Sequence, residues 1–121
     1  MVLAKAKKQL NPRQVFMQER ARRSERRQHF FYIRIPESLG PVRRGEKYED
    51  PLREDLGELG EVTGGGSQLG AGDIIEYCGI DVLVNDRDHG LKAIRKSLRS
   101  SGAPADTVIE EYMPEFQELP L

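Results

Sequence analysis

The sequence predicts an α+β domain, a ferredoxin-like βαββαβ sandwich in which a four-stranded antiparallel sheet carries two helices on one face, preceded by a basic helical arm. Three observations predict it. Two runs, His29–Ile35 and Ile74–Val84, are rich in aromatic and β-branched residues. Two other segments space their apolar residues at helical intervals behind an N-capping residue. Glycine clusters fall between these segments rather than inside them.

Asn11-Pro12-Arg13-Gln14 opens the arm as a helix start, with a capping amide, proline at the first helical position and glutamine at the third. From Pro12 to about Gln28 there is no glycine and no further proline, and Glu19 stands four before Arg23. The apolar residues Val15, Phe16, Met17 and Ala21 make a short patch, not a stripe, so composition places this helix either in solvent or docked on something else.

His29–Ile35, closed by Pro36, is the first strand, with Phe31, Ile33 and Ile35 on one face and Phe30, Tyr32 and Arg34 on the other, more exposed one. Residues 36–49 form a polar connection. Asp50-Pro51 then starts a short helix with Leu52, Leu56 and Leu59 on one side and Gly57 or Gly60 at its end. Glu61-Val62-Thr63 opens a strand that runs into Gly64-Gly65-Gly66, and Gly70-Ala71-Gly72-Asp73 turns it into Ile74–Val84, whose inward residues are Ile80, Val82 and Val84. Asn85-Asp86-Arg87-Asp88 caps the next helix, which buries Leu91, Ile94 and Leu98 and stops at Gly102. Thr107–Tyr112 is the last strand. The expected division is thus an arm, 1–28, a domain, 29–112, and a C-terminal tail, 113–121.

Length and composition bound the function. The chain's 121 residues are room for one domain. Cys78 is the only cysteine, which excludes an internal disulfide and a cysteine zinc site and makes a reducing cytoplasm the expected setting. No apolar stretch approaches the roughly 20 residues of a membrane span, and no secretory signal follows the N-terminus, so no membrane partner is expected. The net charge of −1 conceals a division: residues 1–28 carry nine Lys/Arg against two Glu, a net of +7, and the other 93 carry ten bases against eighteen acids, a net of −8.

No motif names a reaction. Gly64-Gly65-Gly66-Ser67 could offer backbone N–H groups to an anion or a partner, yet it lacks the phosphate-loop and dinucleotide patterns and reads first as a bulge or flexible hairpin arm. Asp81, Asp86, Asp88 and His89 could serve a metal or acid–base chemistry, but Asp86 and Asp88 stand where a helix wants caps, and no metal or other cofactor is expected. Ser67 is not in a nucleophile elbow, and no nucleophile–His–carboxylate pattern appears. Phe30, Tyr32 and Tyr77 do not complete an RNA-binding sheet motif. The expected function is therefore a small non-enzymatic binding or regulatory module, in the manner of an inhibitor or immunity-type protein, that recognises a protein through its sheet, edge or Gly-rich hairpin. Arg20, Arg22, Arg23, Arg26, Arg27 and Phe16 of the arm would add a second contact. The first alternative is a nucleic-acid- or ribosome-associated protein gripping phosphates through those arginines; the second is a small enzyme or metal binder using Asp81, Asp86, Asp88 and His89. Docking of the arm on the acidic body of another copy is a further arrangement consistent with the charges.

Overall fold

Alternation within His29–Ile35 divides the central strand between two layers, and the whole architecture follows from how each layer is covered. A computed structural model describes residues 9–23, 28–69 and 75–121. Its strands are β1 (His29–Ile35), β2 (Gly60–Leu69), β3 (Ile75–Val84), β4 (Val108–Glu111) and β5 (Gln117–Pro120), joined antiparallel in the order β2-β3-β1-β4-β5. The helices are α1 (Pro12–Arg23), α2 (Pro41–Arg44), α3 (Asp50–Leu56) and α4 (Arg87–Ser100), with a π turn, Gly45–Glu49, welding α2 and α3 into one rod.

On the first face of the sheet, Phe31, Ile33 and Ile35 of β1 meet Cys78, Ile80, Val82 and Val84 of β3 and Ile109 of β4, in the register Phe31↔Val82 and Ile33↔Ile80. Leu52, Leu56, Leu91, Ile94 and Leu98 close this core from α3 and α4, as the helical spacing requires. Asp86 caps α4 by accepting from the backbone N–H of His89, and Gly57 and Gly102, both at positive φ, end the two helical segments where glycine was expected.

Three expectations are corrected. The sheet has five strands rather than four, because residues 117–120, read as tail, pair along the free edge of β4 (Val108↔Pro120, Ile109↔Leu119). Helices cover both faces rather than one. Phe30, Tyr32 and Tyr112 on the second face are buried, with Met17 of α1 packed against them, so the face read as the more exposed is roofed by the arm's own helix. The connection 36–49 is not a loop: helix begins at Pro41, a proline at the first helical position, and the π turn carries it to Asp50. In that turn the N–H of Asp50 reaches the carbonyl of Gly45, an i→i+5 bond, and the same spacing aligns Arg44 with Glu49. No helix among the described residues is long and apolar enough to cross a membrane.

Candidate functional site

The second face is organised by one carboxylate. Glu110 lies opposite Tyr32 in the β1–β4 register and its side chain is 0% exposed. Its Oε1 accepts from Arg13 Nη1 at 2.8 Å and from the Tyr112 hydroxyl at 2.6 Å. Its Oε2 accepts from Arg13 Nη2 at 3.1 Å, Gln14 Nε2 at 3.0 Å and Arg34 Nη1 at 3.0 Å. Burial alone would raise this carboxyl, but hydrogen bonds from Arg13, Tyr112 and Gln14 outweigh it and hold the group below its ordinary range. Burial and the bond to Glu110 push the Tyr112 hydroxyl the other way, upward. The Arg13 guanidinium also lies over the Tyr32 ring, 4.5 Å from its centroid.

These contacts orient α1. The reciprocal cap that starts it, Asn11 N–H to Gln14 Oε1 and Gln14 N–H to Asn11 Oδ1, also aims the Gln14 amide at the sheet. With Arg13, Gln14 and Met17 turned inward, the helical repeat turns Val15 and Phe16 outward, and they are 49% and 64% exposed. Phe16, singled out from sequence, thus stands on a helix fixed by buried polar bonds. Arg26 and Arg27 lie outside the described residues, as do the side chains of Arg20, Arg22 and Arg23. Arg13, Gln14, Glu110 and Tyr112 were not recognised from sequence; the available signal was a carboxylate in mid-strand on the face that also carries Arg34, since such a group needs a cation.

The glycine run has a structural task. A bulge at Thr63 shifts the register between Val62↔Val82 and Gly64↔Asp81, so Gly65 and Ser67 face the helices. Arg44 donates from Nε to Glu49 Oε2 at 2.6 Å and from Nη1 to Ser67 Oγ at 3.0 Å, and Ser67 Oγ donates to the Leu39 carbonyl at 2.7 Å. A β-carbon at Gly65 would collide with Glu49 Oε2 and come within 3.0 Å of Arg44 Nε, while one at Gly64 would stand 3.3 Å from Asp81 Oδ2. Carboxylates therefore flank the run on both sides of the sheet. Next to it, Glu37 receives both the Tyr48 hydroxyl and, at 2.8 Å, the Lys47 ammonium. The hairpin turn at 70–73 lies outside the described residues.

The acidic residues at the end of β3 do not converge. Asp81 pairs with Tyr32 and is buried on the α1 side, whereas Asp86 caps α4 and has His89 Nδ1 3.1 Å from its Oδ1. The backbone N–H of His89 is the main cause that lowers the Asp86 carboxyl. No group of three or more His, Cys, Asp or Glu side chains that could hold a metal ion occurs among the described residues, and Asp81 stands apart from the Asp86–His89 pair. Phe30 and Tyr32 are covered and cannot stack on bases. Cys78 is buried in the core, and burial pushes its thiol up to about 11. Beside the start of β1 a cleft of ≈ 240 Å³ contains Phe30, Met113 and the ion pair of Arg87 with Glu111, 2.5 Å from Nε to Oε2. No protein-family model, curated protein or solved structure matches this chain.

Proposed function

We propose that the protein is a non-enzymatic binding module that recognises another protein through the apolar outer face of α1, with the arginines of the basic arm as a second contact. The observation that carries this reading is the pairing of a locked inner face with an exposed apolar outer one: Arg13 and Gln14 bond to buried Glu110, and Phe16 projects to solvent 64% exposed beside Val15. Aromatic anchors held on a rigid support bind at low ordering cost, and such residues dominate protein interfaces. The helical repeat sets positions 20 and 23, both arginine, one and two turns along from Phe16 on the same side of the backbone. The roofed second face leaves recognition through the sheet to its edges. There β2, with Gly64, Gly65, Gly66 and Ser67, has a strand neighbour on one side only, suited to backbone contact with an added strand.

Beneath these surfaces, strands β2-β3-β1-β4 with the helical segments between them follow β-α-β-β-α-β order, and we read this as a ferredoxin-like core extended by β5 and roofed by α1. A cytoplasmic inhibitor or immunity-type role fits an acidic body, a single buried thiol and a preformed apolar strip. The test is capture from native lysate with and without nuclease, followed by titration of the recovered partner. Phe16→Ala should weaken binding more than replacement of Arg20, Arg22, Arg23, Arg26 and Arg27 by Gln, by tenfold or more, since a hot-spot truncation costs about 2 kcal/mol. Loss of all capture on nuclease treatment, or a five-arginine effect larger than that of Phe16→Ala with steep salt sensitivity, would assign the arm to nucleic acid instead. Self-capture in sedimentation would identify a second copy as the partner.

A further inference from the structure

Away from α1, on the opposite side of the sheet, α4 turns a basic face outward. Its buried stripe of Leu91, Ile94 and Leu98 consumes one side of the helix, and Arg87, Lys92, Arg95, Lys96 and Arg99 are left around an open groove of ≈ 640 Å³. Five cations line that groove with a single carboxylate, Asp88. Arg87 is already committed, to Glu111 and Asp88. The other four have no side-chain carboxylate partner among the described residues.

Two of these four are fixed in place. Arg95 donates from Nε to the carbonyl of Pro120 at 3.0 Å, and Arg99 from Nη2 to a main-chain oxygen of Leu121, the last residue of the sequence, at 2.9 Å. Each such bond uses one of a guanidinium's five N–H donors and holds the planar fork with the others free. Lys92 and Lys96 repeat the pattern one turn apart, and the i, i+4 spacing of both pairs corresponds to a rise of about 6 Å. The result is two short parallel rows of positive charge on a body that is otherwise acidic.

We propose that this α4 groove is a binding site for the sugar–phosphate backbone of nucleic acid, independent of base sequence. The character of the groove selects phosphate over an acidic protein segment. Of the described residues, none of the exposed large apolar ones, Val15, Phe16, Val42, Leu69 and Met113, lines it, and Leu91 within it is buried. A protein interface needs a desolvated apolar centre and is poor in lysine, whereas backbone phosphates are held by arginine forks and lysine point charges alone. No aromatic ring lines the groove, so bases have no stacking platform and sequence is not read there.

The experiment uses the full chain and a short fluorescein-labelled DNA duplex of mixed sequence, titrated by anisotropy over a range of salt concentrations. Lys92, Lys96 and Arg99 are all exposed. The variant Lys92→Gln/Lys96→Gln/Arg99→Gln should bind at least tenfold more weakly at low salt, and its log Kd should depend less on log salt by about 0.9 for each phosphate no longer neutralised. A melting curve checks its folding, and Lys92→Gln/Lys96→Gln, which leaves the Arg95 and Arg99 bonds to the backbone intact, replaces it should the triple change destabilise the chain. Replacing the five arm arginines by Gln should leave this decrement in place, which separates the groove from the arm. Poly-glutamate at equal charge should fail to displace the duplex. The proposal is overturned if the parent chain does not bind the duplex at low salt, if affinity and salt slope ignore the α4 substitutions, or if poly-glutamate competes as well as unlabelled DNA.

Discussion

Replacing Glu110 by Gln keeps the shape of the side chain and removes its charge, and the geometry says how the substitution must fail. Every hydrogen bond at this carboxylate is donated into it: Arg13 Nη1 and the Tyr112 hydroxyl at Oε1, and Arg13 Nη2, Gln14 Nε2 and Arg34 Nη1 at Oε2. An amide offers one acceptor and one donor group. Its NH2 cannot occupy the Oε2 position, where all three neighbours are N–H donors, so it must take the Oε1 position. There the Tyr112 hydroxyl can rotate to accept, but Arg13 Nη1 is left facing another donor. Removing one charge from a buried pair costs about 3–5 kcal/mol. We expect the lower end, about 3 kcal/mol, because the Arg13 and Arg34 side chains keep 19% and 30% of their exposure and water can reach them.

Urea unfolding followed by circular dichroism reads this directly. With a slope of about 1.5–2 kcal/mol per molar urea, the midpoint should fall by about 1.5–2 M. A shift below about 0.5 M would refute the claim that Glu110 holds α1 on the sheet. The pH dependence follows with a definite sign. Because the folded-state carboxyl is held below its ordinary range, Glu110 contributes stability fully above the ordinary carboxylate pKa and loses it as pH falls through the lowered value. The difference between parent and Glu110→Gln should therefore be constant near neutral pH and shrink under acid. The same geometry implies that deleting residues 1–28 destabilises the remaining chain, since it takes Arg13 and Gln14 from Glu110 and uncovers Phe30, Tyr32 and Tyr112.

The first core and the glycine run yield two further expectations. Gly65→Ala should cost about 1–2 kcal/mol in a thermal or urea melt by displacing the Arg44–Glu49 pair, while Gly66→Ala, with nothing within 4 Å of the added carbon, should change stability by less than about 0.5 kcal/mol; equal effects would contradict the close-approach reading. Cys78, buried and with its thiol pushed up to about 11, should resist a disulfide reagent at pH 8 in the native chain and react fully in denaturant, and rapid native labelling would show that β3 opens.

What the sequence made legible is the part of the fold held by carbon. β3 and α4 could be placed from Ile80, Val82 and Val84 and from Leu91, Ile94 and Leu98 because each carries its own period, and Asp86 and Gly102 mark the ends of α4 by local chemistry. β5 carries no such pattern: Gln117–Pro120 has Leu119 as its one inward apolar residue and becomes a strand because β4 offers it a free edge. The π turn is hidden for a related reason, since its Arg44–Glu49 pair lies at a spacing that ordinary helix rules leave unmatched. α1 is the clearest case. Its inward residues include Arg13 and Gln14, so a hydrophobic count leaves open whether the helix is solvated or docked, and their common acceptor is Glu110, 97 and 96 positions away. The candidate site inherits that blindness: Phe16 could be noticed as an apolar residue on a basic arm, but its outward direction follows only once Arg13 and Gln14 are known to point in. On this chain the polar anchor sets the orientation of the helix, and the orientation of the helix turns the apolar residue to solvent.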